Sequence, residues 1–132
     1  MDDMKNTEGY SDLTAGEAIR RASKNRYRPM VYICSPYSGD IRGNTEKARK
    51  YSRYAVDQGM IPIAPHLLLP QYMSEDERDL ALFMDIAILS KCSELWVCGD
   101  RITKGMENEI SYARSKGMKT RYIAEEKLIC TK

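Results

Sequence analysis

Four short strand-like runs, separated by stretches with helical spacing, constrain this chain more than any other feature. MVYIC (30–34), IPIA (61–64), ELWVC (94–98) and KTRYI (119–123) are each rich in residues that favour strands. After the first comes SPYSGDIRGN, dense in Ser, Pro and Gly, and then a helical pattern over about 45–57. There Asn44 is the expected cap, Ala48, Tyr51 and Ala55 share one face, and Gly59 is the stop. Between the second and third runs, Ser74 and Glu77 form a capping box that opens a helix over about 74–91. After the third, a helix is expected over about 105–116, stopped by Gly117. Alternating strands and helices, with the strands continuously apolar, predict a parallel sheet covered on both faces.

The expected fold is therefore a flavodoxin-like or Rossmann-like α/β three-layer sandwich with four or five parallel strands, the fifth a short one around 127–130. Residues 1–29 carry no strand signal, and Thr14 with Glu17 predicts a short helix over about 15–24. They read as an N-terminal arm, with the α/β domain over 30–132. The length of 132 residues suits one such domain.

Composition excludes several classes. Lys and Arg number 21 against 19 Asp and Glu, without the strong basic excess expected of a nucleic-acid binder. No apolar run approaches the roughly 18–20 residues of a membrane span, and the acidic, polar start is unlike a secretory signal. Cys34, Cys92, Cys98 and Cys130 form no C-x-x-C pair, and His66 is the only histidine, so neither a structural metal nor a cofactor is expected. Most of the cysteines lie in or beside apolar runs and read as buried thiols of a cytoplasmic protein.

In parallel α/β sheets ligands bind beyond the carboxyl ends of the strands. That rule selects segments 35–44, 65–72 and 99–109. Asp85 is the first anomaly near them, lying inside LALFMDIAIL. At about 100° per residue it projects between Ile88 and Leu89, beside the apolar face of Leu82, Ile86 and Leu89. A carboxyl in apolar surroundings must be paired, hydrogen-bonded or protonated. It reads equally as an acid with a raised pKa or as a structural carboxylate. Glu107 and Glu109 both sit near the start of the helix after the third strand, where acidic residues complement the helix dipole. Helical geometry does not choose between them. SPYSGDIRGN offers Gly39, Gly43 and small hydroxyls before a helix, a generic anion site without a dinucleotide or P-loop fingerprint. Arg42 adds a cation there or is a solvated surface residue. His66 hydrogen-bonds a ligand or packs in its loop, and Tyr32, Tyr37 and Tyr72 lie nearest the predicted rim.

VYICSPYSG, MDIAILSKCSELWVCGD and GMENEISYARSKGMKTRYI together resemble the nucleoside 2-deoxyribosyltransferase superfamily over about residues 30–123. That superfamily includes deoxynucleoside 5′-monophosphate N-glycosidases, and the chain is most similar to its phage and bacterial branches. The third segment is similar to the family's G-x-x-x-E-[IL]-G-x-A helix start. Gly105 plus four is Glu109, so the resemblance selects Glu109 as nucleophile. Asp85 stands where the family has an acidic residue about nine positions before the third strand, and Tyr32 matches a first-strand tyrosine. Ser111 stands in place of a glycine, Ser93 in place of a frequent aspartate, Ser35 and Pro36 in place of a small pair, and the GDRITKG loop is basic.

The resemblance implies N-glycosidic cleavage or transfer on a nucleoside or nucleotide. Glu109 attacks the sugar C1′, and Asp85 serves as acid or sugar-positioning group. Ser35, Ser38, Gly39, Thr103, Lys104 and Gly105 are expected to hold a phosphate or hydroxyl, with Tyr32, Tyr37 and His66 completing the substrate site. It also implies a homo-oligomer. Two other readings remain open: a binding module or sensor for a nucleotide-derived ligand, and a structural protein of a mobile element docking through 1–29.

Overall fold

The computed structural model describes residues 14–24 and 27–128. Its elements alternate as expected: α1 (Ala15–Lys24), β1 (Met30–Cys34), α2 (Ile41–Asp57), β2 (Ile61–Ile63), α3 (Arg78–Leu89), β3 (Glu94–Cys98), α4 (Lys104–Ser115) and β4 (Lys119–Ile123). The four strands form one parallel sheet in the order β2-β1-β3-β4. This is the flavodoxin-like order, whose direction of winding reverses between β1 and β3.

Side-chain alternation along the strands sorts the core into two layers. Tyr32, Cys34, Leu95 and Val97 pack with Leu89 of α3 and with Met106, Ile110 and Ala113 of α4. Val31, Ile33, Trp96 and Cys98 pack with Tyr51 and Ala55 of α2. Trp96 is fully buried, yet its indole N–H donates to Glu94 at 2.9 Å, so the largest core side chain leaves no polar group unpaired. The register pairs Tyr32 with Leu95 and Cys34 with Val97. The loops leaving β1 and β3 therefore start side by side and diverge toward opposite faces of the sheet.

Three local expectations are corrected. First, α2 begins at Ile41, and its cap is Asp40 rather than Asn44. Gly39, at φ +96°, turns the chain so that the Asp40 carboxylate accepts from the Gly43 N–H at 3.1 Å. The Asn44 backbone is already helical, and its side-chain amide donates to the carbonyls of Tyr37 and Ser38. Second, the helix expected over 74–91 is divided. Glu77 accepts from the Ser74 N–H at 3.0 Å, but the turn closed there, Glu75–Glu77, is 3₁₀, and α3 starts at Arg78. Third, Glu125–Leu128 is a 3₁₀ turn where a fifth strand was expected to begin; residues 129–130 of that expectation lie outside the described residues. Of the expected arm, 1–13 and 25–26 likewise lie outside. Within it α1 forms over the expected 15–24, with Thr14 and Glu17 exchanging two hydrogen bonds at 3.1 and 3.0 Å. No helix among the described residues is long and apolar enough to cross a membrane.

Candidate functional site

One face of the sheet gathers ionisable groups that an apolar core would normally exclude. Tyr32 points from β1 toward α3 and α4. Asp85 lies on the buried side of α3 with Leu89, and Glu109 on the buried side of α4 with Met106, Ile110 and Ala113. Asp85 and Glu109 are only 7% and 6% exposed, whereas Glu107 is exposed to solvent. The Tyr32 hydroxyl donates to Glu109 Oε2 at 2.6 Å, a short charge-assisted bond.

These contacts divide the labour between the two carboxyls. Burial raises the pKa of Glu109, but hydrogen bonds from Tyr32 and Cys34 oppose that shift by stabilising the charged form. Asp85 is pushed up to about 7, first by burial and then by the negative charge on Glu109. Its Oδ1 is buried without a hydrogen-bond partner. Two such neighbours cannot readily both ionise. Because the donors point at Glu109, the charge settles there and the proton rests on Asp85. Burial and the two carboxylates hold the Tyr32 phenol far above its ordinary range, so it stays a donor.

Both carboxyls open onto a cavity of about 490 Å3 beyond the ends of β1 and β3. Of the residues singled out in the sequence, Tyr37, Ser38, His66, Asp85, Thr103, Lys104, Gly105 and Glu109 line it. Tyr32 lies beneath, holding Glu109. Thr103 caps α4 by accepting from the Met106 N–H at 3.3 Å. His66 packs on Tyr37 with ring centroids 4.8 Å apart, its Nδ1 has no partner, and burial lowers its pKa to about 4. Neutral above pH 5, it can offer a ligand a hydrogen bond without a charge.

Ser35 and Gly39 are not brought into this cavity. Ser35 follows Cys34, so strand alternation turns it to the α2 side. There it lines a separate cavity of about 90 Å3 with Tyr51 and Gly99. Gly39 serves the turn before α2. Two other residues went unnoticed in the sequence. Cys34 shares its strand face with Tyr32, a period-two signal. Arg78 lines the cavity seven residues before Asp85, a helical repeat that could have found it.

Residues 29–123 match the family described as Domain of unknown function (DUF7768). The chain belongs to this family. The match ends at the last residue of β4, so the DUF7768 region contains the whole sheet and every residue of the buried carboxyl site. No curated protein matches the chain significantly. Among solved structures, this DUF7768 chain is similar to a 2-desoxiribosyltransferase from Leishmania mexicana, with a TM-score of 0.56 and 13% identity. The similarity covers 73% of this chain and 64% of that one, less than two thirds of the enzyme's length. At that identity the likeness shows a shared fold.

Proposed function

We propose that this protein cleaves or transfers the N-glycosidic bond of a nucleoside or nucleotide. The observation that carries this reading is the buried pair Glu109 and Asp85, one held charged by Tyr32 and the other favouring its proton, on one large cavity. The fold shared with a deoxyribosyltransferase and the resemblance of the Gly105–Glu109 segment to that superfamily support it.

In the first step a Glu109 oxygen bonds to the sugar C1′ as the C1′–N bond breaks. The bonding electrons leave with the base, and Asp85 gives the base nitrogen its proton. The product is a glycosyl ester on Glu109. In the second step Asp85, now a carboxylate, takes a proton from water or from a second base. That acceptor attacks C1′ and frees Glu109, giving hydrolysis or transfer respectively. Tyr32 keeps the Glu109 oxygen oriented and stabilises it as it returns. Tyr37 and His66 pack against the ligand rings, with Leu69 and Met73 on the same wall.

The working form in this reading is a homo-oligomer. Phe83 is 71% exposed and Leu80 50% on the outer side of α3, and Tyr72 and Leu68 are exposed in the preceding loop. These large apolar groups beside the cavity fit a contact with a second copy.

Incubation with purine and pyrimidine nucleosides and nucleotides, with chromatography for free base, tests the proposal. Base release that disappears in Glu109→Gln supports it. Saturable binding without release points instead to a sensor, and neither to a structural role.

A further inference from the structure

Arg78 and Lys104 occupy matching places on the two helices that carry the buried carboxyls. Each is the first residue of its helix, and both line the large cavity. Arg78 precedes Asp85 by seven residues, about 10 Å along α3, and Lys104 precedes Glu109 by five, about 7–8 Å along α4. The cavity thus has an acidic floor and a basic rim. Both cations are solvent-exposed, and among the described residues neither is engaged in an ion pair or a side-chain hydrogen bond. The one other charged group at this end is Glu75, on the same wall as Arg78, leaving the rim with a net positive charge. Ser38 and Ser74 add hydroxyls there.

We propose that Arg78 and Lys104 clasp a phosphate of the ligand, so that the substrate is a phosphorylated nucleoside and Arg78 is a specificity-determining residue. The inference rests on the glycosidic reading of the carboxyl floor. With C1′ at that floor, a phosphate esterified to the sugar lies farther out, toward the helix starts. The long Arg78 and Lys104 side chains then meet it from two elements. Guanidinium grips phosphate through two parallel N–H donors, and lysine supplies a point charge. A free nucleoside leaves both cations without a partner.

The test compares the whole protein with Arg78→Ala, Arg78→Lys and Lys104→Ala. Base release is measured on a nucleoside and its 5′-monophosphate, and binding of inorganic pyrophosphate by calorimetry. In the unaltered protein the monophosphate is expected to exceed the nucleoside in kcat/KM by on the order of 10–100-fold. Arg78→Ala and Lys104→Ala should each remove roughly 10-fold of that preference, mainly through KM, and Arg78→Lys should restore part of it. Pyrophosphate should bind the unaltered protein and bind Arg78→Ala markedly less. Equal turnover of nucleoside and monophosphate overturns the inference and leaves the glycosidic reading standing. Pyrophosphate binding that depends on Arg78, with no base released from any compound, upholds the anion rim and overturns the glycosidic reading. Absence of both binding and release overturns both.

Discussion

The Tyr32 hydroxyl and Glu109 Oε2 meet at 2.6 Å across the gap between the first strand and the last helix, 77 residues apart in sequence. The bond joins a phenol that cannot ionise to a carboxylate that would otherwise take a proton on burial. Tyr32→Phe removes the donor without changing the ring. Glu109 should then titrate at higher pH, and the acid limb of the rate profile should move up. Turnover near pH 6 should fall by roughly 10–100-fold, one to two pKa units of lost stabilisation. A pH–rate profile of both proteins checks this; an unmoved acid limb would separate Tyr32 from the nucleophile.

Asp85 contributes to stability with a defined sign. Its folded pKa, about 7, lies above the value of 3.8 for an unperturbed aspartate, so between these values the folded state binds more protons than the unfolded. Its contribution is fully present below about pH 4 and is lost as pH rises through 7. Asp85→Asn should therefore be the more stable protein at pH 8, by at most about 4 kcal/mol, with little difference at pH 4. Base release should fall by roughly 10²–10⁴-fold, least for substrates with good leaving groups. Melting temperatures across pH 4–8 read the first effect. Destabilisation of Asp85→Asn at pH 8 with normal turnover per folded molecule would make Asp85 a structural carboxylate.

Much of this arrangement was legible before the structure. The alternation of strand-like and helical segments carried the parallel sheet, because buried parallel strands leave continuous apolar runs. Asp85 announced itself as a carboxyl with no polar neighbours on its helix. The choice between Glu107 and Glu109 was different. Both lie about 60° from the apolar line of α4, so helical angle alone is silent. What buries Glu109 is the position of Tyr32 on a distant strand, a tertiary fact. The caps misled for a related reason. Asn44 and Ser74 carry suitable side chains, but Gly39 starts α2 earlier, and the turn after Ser74 tightens to 3₁₀. Ser35 was placed in the site with its loop, although one step of strand alternation separates it from Cys34 and turns it to the other cavity.

His66 is the only histidine in the chain, so one proton resonance reports its titration. Burial lowers its pKa to about 4 from 6.5. Between those values the unfolded state binds more protons, and the His66 contribution to stability is lost as pH falls from 6.5 toward 4. NMR titration should show no protonation above about pH 5, and His66→Gln should flatten the acid side of the stability curve. A midpoint near 6.5 would place the ring in solvent and remove it from the cavity wall.

Self-association through the outer side of α3 predicts a concentration-dependent sedimentation coefficient. Leu80→Asp and Phe83→Asp should shift the protein toward monomer with little loss of folding stability, since both side chains are already exposed. A chain starting at Arg28 shows whether the arm also contributes. A monomer at micromolar concentration with full activity would contradict the proposed assembly.

Covalent attachment at Glu109 is the most direct test of the proposed chemistry. The protein, mixed with substrate and quenched in acid during turnover, is digested and its peptides are weighed. The expected result is the mass of the substrate's sugar on the peptide containing Glu109, absent from Glu109→Gln, whose base release falls by several orders of magnitude. Base release at a near-normal rate from Glu109→Gln, with no sugar on that peptide in either protein, would contradict it.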